Sequence, residues 1–462
     1  MDSGALMRRQ ANGTRDSRGD RRLLPASFII PIGLVAATYG ALAAIVIVEP
    51  KAMTSPLVAA IAAGLLGLIA LVASIGTERA STALLVLAFG FAPLTSFSLG
   101  PTHLVLASAL FAVAFALAFP RLIHRPFRPP TMFVVGSVLF AVMGLLSIPM
   151  APSALNSAVY LATAVVALVA IPAAVVWMGP NDRQMFAMAL AFGIGTAVST
   201  LIGLSRNEYR NSGFTYHPVA LAYTAMLALS FVPYLLASKG MRSRWIVVPP
   251  VALIALVGVW TSGSRTGLVV LAALTLIVPV MERSIRLGLL VAGGVVILLP
   301  TVLTFDPKDG STSALSRLLG SGGAEESDDT RRYTLRLGWE QIQESPIFGN
   351  GYSIEGTYVI HNIYLQVLQA EGLIGLVGLL MMFAALVVPL RKASEPQRCL
   401  AYPALAVMLA GPFQPNMSDH YLGLSLGLSL VAAVGVMNGR QPPDDHSDAK
   451  GLRGPEKPQV RV

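Results

Sequence analysis

Apolar runs of about 20 residues, the length that a bilayer core roughly 30 Å thick demands of a helix, recur along the chain between mostly short polar breaks. They predict membrane spans near 27–48, 55–75, 81–98, 103–119, 131–149, 156–178, 185–204, 218–237, 245–261, 266–281, 287–304, 373–390, 399–413 and 420–437. The stretches 266–281 and 399–413 are short for a span. The expected fold class is all-α, a polytopic transmembrane helical bundle of roughly twelve to fourteen helices, because in lipid a helix satisfies its own backbone.

The pattern also sets an order of domains. A basic segment, 1–26, reads as a disordered cytoplasmic N-terminus, followed by spans over 27–304, a long external loop over 305–371, further spans over 372–437, and a disordered cytoplasmic tail over 438–462. The first apolar run lacks a small-residue cleavage site and reads as a retained helix. Two connections are longer than a bundle requires: the one around 205–217, and 305–371. In the second, DPKDGSTSALSRLLGSGGAEESDDT reads as flexible loop. A helix is expected from about Thr330 to Glu344, stopped by Ser345-Pro346 and followed by the turn Gly349-Asn350-Gly351.

Composition fits this picture. The 462 residues are 54% hydrophobic and 12% charged, whereas soluble domains carry about a quarter charged residues. With the Arg-rich N-terminus inside, alternating spans place most of the 33 basic residues inside, in RLIHRPFRPP (121–130), SKGMRSR (238–244), MERSIR (281–286) and RKASEPQR (391–398). The net charge of +9 then follows from topology and anionic inner-leaflet lipid, and no nucleic-acid partner is expected. Cys399, the single cysteine, excludes an internal disulfide. No phosphate-cradling loop, nucleotide fingerprint or metal-ligand spacing is apparent, so no cofactor and no metal are expected. The acidic run EESDD (325–329) reads as solvated loop, with a metal site as the alternative.

The spans contain no Asp, Glu, Lys or Arg. Ion-coupled transport places such groups near the midplane, which disfavours a transporter. Polar groups gather instead on the outer side: Arg206, Arg210 and His217 in the first long connection, Arg265 in the hairpin TSGSRTG, then Arg331, Arg332, Arg336 and His361. External arginines are exceptions to positive-inside bias. Arg265 reads either as an interfacial anchor or as part of an anion site, since guanidinium forks match phosphate. Two or three convergent arginines would hold a diphosphate. His361 reads either as a cap or packed residue before a helix, or as a group that removes a proton from an attacking hydroxyl. Asn362 is placed to cap that helix.

Four stretches together resemble the superfamily of O-antigen ligases and O-antigen polymerases, bacterial membrane glycosyltransferases. They are RNSGFTYHPVALAY (210–223), TSGSRTGLVVLA (261–272), RRYTLRLGWEQIQESPIFGNGYS (331–353) and HNIYLQVLQAEGLIG (361–375). His217-Pro218-Val219 departs from the Pro-Asn frequent in the family. The resemblance implies a lipid-sugar glycosyltransferase fold and transfer of a glycan from a polyprenyl diphosphate carrier to an acceptor hydroxyl. The acceptor would belong to a lipid, a protein or another glycan, and the reaction would run outside the cytoplasmic membrane without metal or nucleotide, by inversion. It assigns Arg210, Arg265 and His361 to catalysis and Arg331, Arg332, Asn362 and His217 to substrate binding. It places the protein in a bacterial cytoplasmic membrane as a multi-pass protein, both termini cytoplasmic and the active site external. Ligase and polymerase share this donor chemistry. A solute transporter and a non-catalytic envelope scaffold are the readings from other classes.

Overall fold

A computed structural model describes residues 56–96, 98–99, 104–206, 210–238, 244–285, 314–318, 324–352, 360–414 and 417–437. The expected spans 27–48 and 287–304 and the two terminal segments lie outside the described residues. The chain divides into two units, Met1–Ala80 and Ser81–Val462. In the first, helix α1 (Pro56–Ile75) ends at Gly76, whose left-handed φ of 80° starts a new direction. Helix α2 (Thr77–Phe91) begins there and runs on into the second unit.

Among its described residues, the regular structure of the second unit is helical apart from one antiparallel pair of two-residue strands, β1 (Ser98–Leu99) and β2 (Leu104–Val105). Its helices are α3 (Leu106–Leu122), α4 (Thr131–Ser147), α5 (Ala154–Met178), α6 (Asp182–Ser205), α7 (Pro218–Ala237), α8 (Arg244–Thr261), α9 (Arg265–Met281), α10 (Ala314–Leu318), α11 (Ala324–Glu344), α12 (Ile363–Val387), α13 (Tyr402–Ala410) and α14 (His420–Met437). Seven helices among the described residues are long and apolar enough to cross a membrane: α4 with the turn after it, α5, α6, α7, α8, α12 extended to Lys392, and α14. The fold is a membrane-type helical bundle.

Two elements depart from expectation. Helix α11 starts at Ala324 rather than near Thr330, because the EESDD run forms helix; carboxylates in a first turn face the positive end of the helix dipole. Helix α12 starts at Ile363, right after the expected cap Asn362, but it runs on through the expected span from 373 as two helical pieces joined at Gly372, where φ is 72° and ψ −171°. Its polar first turns carry too little hydropathy to register as span.

Close helix contacts use small residues, as in membrane bundles where backbone approach replaces hydrophobic burial. Helices α4 and α12 pack most extensively. A Cβ on Gly136 would lie 2.6 Å from the Gly378 carbonyl oxygen, and one on Gly378 would lie 2.8 Å from that of Gly136. Against α14, helix α5 opens into a π-type turn over Val166–Ala170, and Gly423 fits beside the Ala167 carbonyl.

Polar contacts sort the connections into two ends. At one, Arg210 donates to Ser262 O and Arg317 to Gly263 O, while Arg265 pairs with Asp328 and Tyr216 with Asp419. At the other, Arg125 donates to Met178 O, Tyr234 to Asp182 O, and Arg398 pairs with Glu282. This partition is the one that strict alternation of the described helices requires.

Candidate active site

The first wall of the site is the connection 210–217, stapled to its neighbours by one buried side chain. Asn211 donates from Nδ2 to Thr200 O (3.2 Å) and to Thr261 Oγ1 (3.0 Å), and its Oδ1 accepts from Gly213 N (2.9 Å). Its own amide donates to Thr261 O. Gly203 leaves the room: a Cβ there would fall 1.6 Å from Asn211 Oδ1. Gly213, with φ of 59°, turns the chain against Ser199, whose hydroxyl accepts from Phe214 N. Arg210, held by Asn211, then points its Nε at Ser262 O (3.0 Å).

The second wall is the turn before α9. Ser264 caps the helix by accepting from Gly267 N (3.3 Å), and Gly263 sits at a φ of 67°. Arg265 is thereby the first residue of α9 and lies beside the loop, not within the apolar helix. Its guanidinium grips Asp328 through both branches, with Nη1 to Oδ2 at 2.8 Å. The Arg265 guanidinium holds the Asp328 carboxyl below the usual carboxylate range. Buried Arg317, in α10, donates to Gly263 O (3.3 Å) and completes the turn's surroundings.

Helix α11 brings the next groups by its 3.6-residue period. Asp328, Arg331, Thr334, Gly338 and Ile342 share the inner face, and the last three are buried. Arg331 lies near Arg265 and Arg317; burial, then the Arg265 charge, lowers its pKa. Its Nε is buried and makes no hydrogen bond among the described residues. Arg332 and Arg336 point the other way, each 80% exposed, and pair only with Asp329 and Glu340 on their own helix. The structure therefore brings Arg331 to the cluster and leaves Arg332 out.

His361 is placed by a joint between two glycine turns. Where α12 breaks at Gly372, the carbonyls of Gln369 and Ala370 accept from Asn350 and Gly351 (2.9 Å each), and Pro346 O accepts from Leu373 N. A Cβ on Gly372 would lie 2.0 Å from Ile347 O, and one on Gly349 2.3 Å from Ala370 O. Beneath the joint, Glu371 is fully buried and accepts from the Tyr352 hydroxyl at 2.6 Å. Asn362 caps α12, its Oδ1 accepting from Leu365 N (3.1 Å), and Ile360 packs against Gly338. The residue between them is His361.

His217 links the walls. It caps α7 with Nδ1 accepting from Val219 N (3.1 Å). Desolvation first, then the Arg210, His361 and Arg317 charges, lowers its pKa below the ordinary imidazole value. Arg210, Arg317 and His361 thus each lie within electrostatic reach of His217, and Arg265, Arg317 and Asp328 within reach of Arg331. Because Nδ1 accepts a backbone proton, neutral His217 carries its hydrogen on Nε2 and is a donor there.

Residues 250–380 match the family model for O-antigen ligase. The chain carries an O-antigen ligase family domain. No curated protein shows a significant match to the chain. The O-antigen ligase domain holds Arg265, Arg317, Asp328, Arg331 and His361, whereas Arg210 and His217 precede its matched range. The apolar helices and this match together make it a multi-pass membrane protein that carries an O-antigen ligase family domain over residues 250–380.

Sequence reasoning missed Arg317, Asp328 and Asp419. Asp328 was hidden in EESDD, which the structure corrects from solvated loop to a helical turn with one acid turned inward. Asp419 is buried and accepts from the hydroxyls of Tyr216 (3.0 Å) and Tyr421 (2.6 Å), fixing the connection 210–217 to the start of α14. Among the described residues no group of acids, His and Cys is arranged to hold a metal. The one usable signal was the spacing of Arg331, Thr334, Gly338 and Ile342, which marks the inner face of α11 and separates Arg331 from Arg332.

Proposed function

We propose that this protein transfers a glycan from a polyprenyl diphosphate carrier to an acceptor hydroxyl at the outer face of a bacterial cytoplasmic membrane. The observation that carries this reading is the gathering of Arg210, Arg265, Arg317 and Arg331 with His217 and His361 at one end of the bundle. Arg265 pairs with Asp328, while Arg210 and Arg317 each donate to a backbone carbonyl of the turn before α9, Ser262 O and Gly263 O. Guanidinium forks converging on one turn match the geometry and charge of a diphosphate.

In this mechanism the acceptor oxygen attacks the anomeric carbon, and the bond from that carbon to the diphosphate oxygen breaks. The electron pair leaves with the diphosphate, whose growing charge the arginines stabilise. The acceptor's proton passes to His361. His217, a donor at Nε2, is unsuited as base and serves as a hydrogen-bond donor to phosphate oxygen. In-line attack inverts the anomeric centre, and charge neutralisation by guanidinium forks takes the part that a metal plays elsewhere. Arg265 must release Asp328 to bind the donor, so Asp328 is a placeholder for phosphate. Both termini would then be cytoplasmic.

The test is to delete the gene and analyse the lipid-linked glycans. Long chains that remain on the carrier indicate a ligase, and single repeat units indicate a polymerase. An unchanged lipid-linked pool removes the proposal.

A further inference from the structure

At the end of the bundle opposite the arginine cluster, a cavity of about 540 Å³ is lined by Arg125, Phe127, Arg128, Val176, Trp177 and Val434. We propose that it binds the phosphate-bearing headgroup of an anionic phospholipid. The cavity is distinct from the proposed donor site, and no part of the O-antigen ligase match covers it.

The cation is built in. Arg125 Nη1 donates to the Met178 carbonyl (3.0 Å), one of the open carbonyls at the C-terminal end of α5. The indole Nε1 of Trp177 donates to Arg125 O (3.2 Å) and ties the backbone down. Gly179 leaves the space, with φ of 58° and a Cβ that would fall 2.1 Å from Arg125 Nη1. Thus one branch of the Arg125 fork is held by the protein, while its Nε and Nη2 make no hydrogen bond among the described residues. Arg128 makes no ion pair with any described residue. Two cations around one cavity, one of them positioned by two hydrogen bonds and by the space that Gly179 leaves, form a seat for phosphate oxygens.

The rest of the lining selects a lipid over a free phosphate. Phe115, Phe119 and Phe127 surround Trp177 with ring centroids 6.0, 6.1 and 6.0 Å away. Phe119, packed on Trp177, and Ile123, two residues before Arg125, remain 42% and 59% exposed. Aromatic rings of this kind concentrate where acyl chains meet headgroups. A lone snorkelling arginine needs no cavity and no glycine to admit it. The volume lies in the range that binds small ligands, enough for a glycerophosphate headgroup.

Native mass spectrometry of the detergent-purified full chain with added phosphatidylglycerol or phosphatidylcholine tests this. Wild type should retain phosphatidylglycerol preferentially. The double variant Arg125→Gln/Arg128→Gln should lose on the order of tenfold in that retention, and Arg128→Gln alone, which disturbs no internal contact, should lose part of it. The control Arg391→Gln/Lys392→Gln, at the same end, should behave as wild type. Equal loss in the control, or no loss in Arg128→Gln and the double variant, overturns the proposal by reducing it to general surface charge. Displacement of the lipid by inorganic phosphate at millimolar concentration also overturns it, in favour of a free-phosphate site. Because none of these variants touches the arginine cluster, their outcome is independent of the proposed transfer reaction.

Discussion

Arg265 and Asp328 are joined through both branches of the guanidinium and both carboxylate oxygens, although 62 residues of chain lie between them. The carboxylate occupies the geometry that a phosphate group would take on the same fork. Its helix, α11, is therefore fastened to the turn before α9 by the very residue proposed to engage the donor.

Asp328→Asn is expected to weaken this fastening and to expose Arg265. The KM for lipid-linked donor should fall severalfold, and backbone amides near 328 should exchange faster. The pH dependence follows from the lowered carboxyl value. A carboxyl with a depressed folded pKa stabilises above its unfolded value, and that contribution is lost as pH falls through the folded value. Hydrogen exchange over α11 should thus be flat around neutrality and rise only in acid. An early rise near pH 6 would contradict the pairing.

His217 combines a cap with a donor, and two variants separate them. His217→Asn keeps a cap acceptor and removes the Nε2 hydrogen, so transfer should fall while the melting temperature holds. His217→Ala should also lose about 1 kcal/mol of stability. Since the folded pKa lies below the ordinary imidazole value of 6.5, the unfolded chain takes up this proton first as pH drops. Wild-type stability should be full above that value and decline below it, and the decline should shrink in His217→Asn.

His361→Ala should lower kcat by roughly 10²–10⁴-fold, the range for a lost general base, with the KM for donor little changed. A change in KM alone would assign His361 to binding or to the helix start.

The Gly372 joint carries a different prediction. An alanine there must adopt a left-handed φ and place its Cβ 2.0 Å from Ile347 O. Strained backbone of this kind costs about 1–3 kcal/mol before any clash. Gly372→Ala should lower the melting temperature and disorder the turn at Gly349-Asn350-Gly351, whereas Gly435→Ala, with open space around it, should do neither.

Hydropathy made the bundle legible, because lipid imposes length and apolarity on each span. By itself it left out the first turns of α12, where Gln366, Gln369 and Glu371 are buried as polar groups inside a helix that hydropathy reads as loop. The motif residues Arg210, Arg265, Arg331 and His361 were legible singly. Their convergence was not, for it depends on Asn211 stapling one connection, Ser264 capping another, and the freed carbonyls at Gly372 receiving the Gly-Asn-Gly turn. Separating Arg331 from Arg332 needed only the period of α11. Arg317 had no such signal, since its partner is the backbone carbonyl of Gly263.

The most direct test of the central claim is the rate of glycan transfer from polyprenyl diphosphate by purified protein, measured for wild type, Arg317→Lys, Arg317→Ala and Arg332→Ala at matched folding. Loss of one charge-assisted contact to the leaving diphosphate, roughly 1.5–3 kcal/mol, predicts a rate about 10- to 150-fold lower for Arg317→Ala. Arg317→Lys should recover part of the rate, and Arg332→Ala should match wild type. Equal rates for Arg317→Ala and wild type, or equal losses for Arg317→Ala and Arg332→Ala, would contradict a diphosphate held by this cluster.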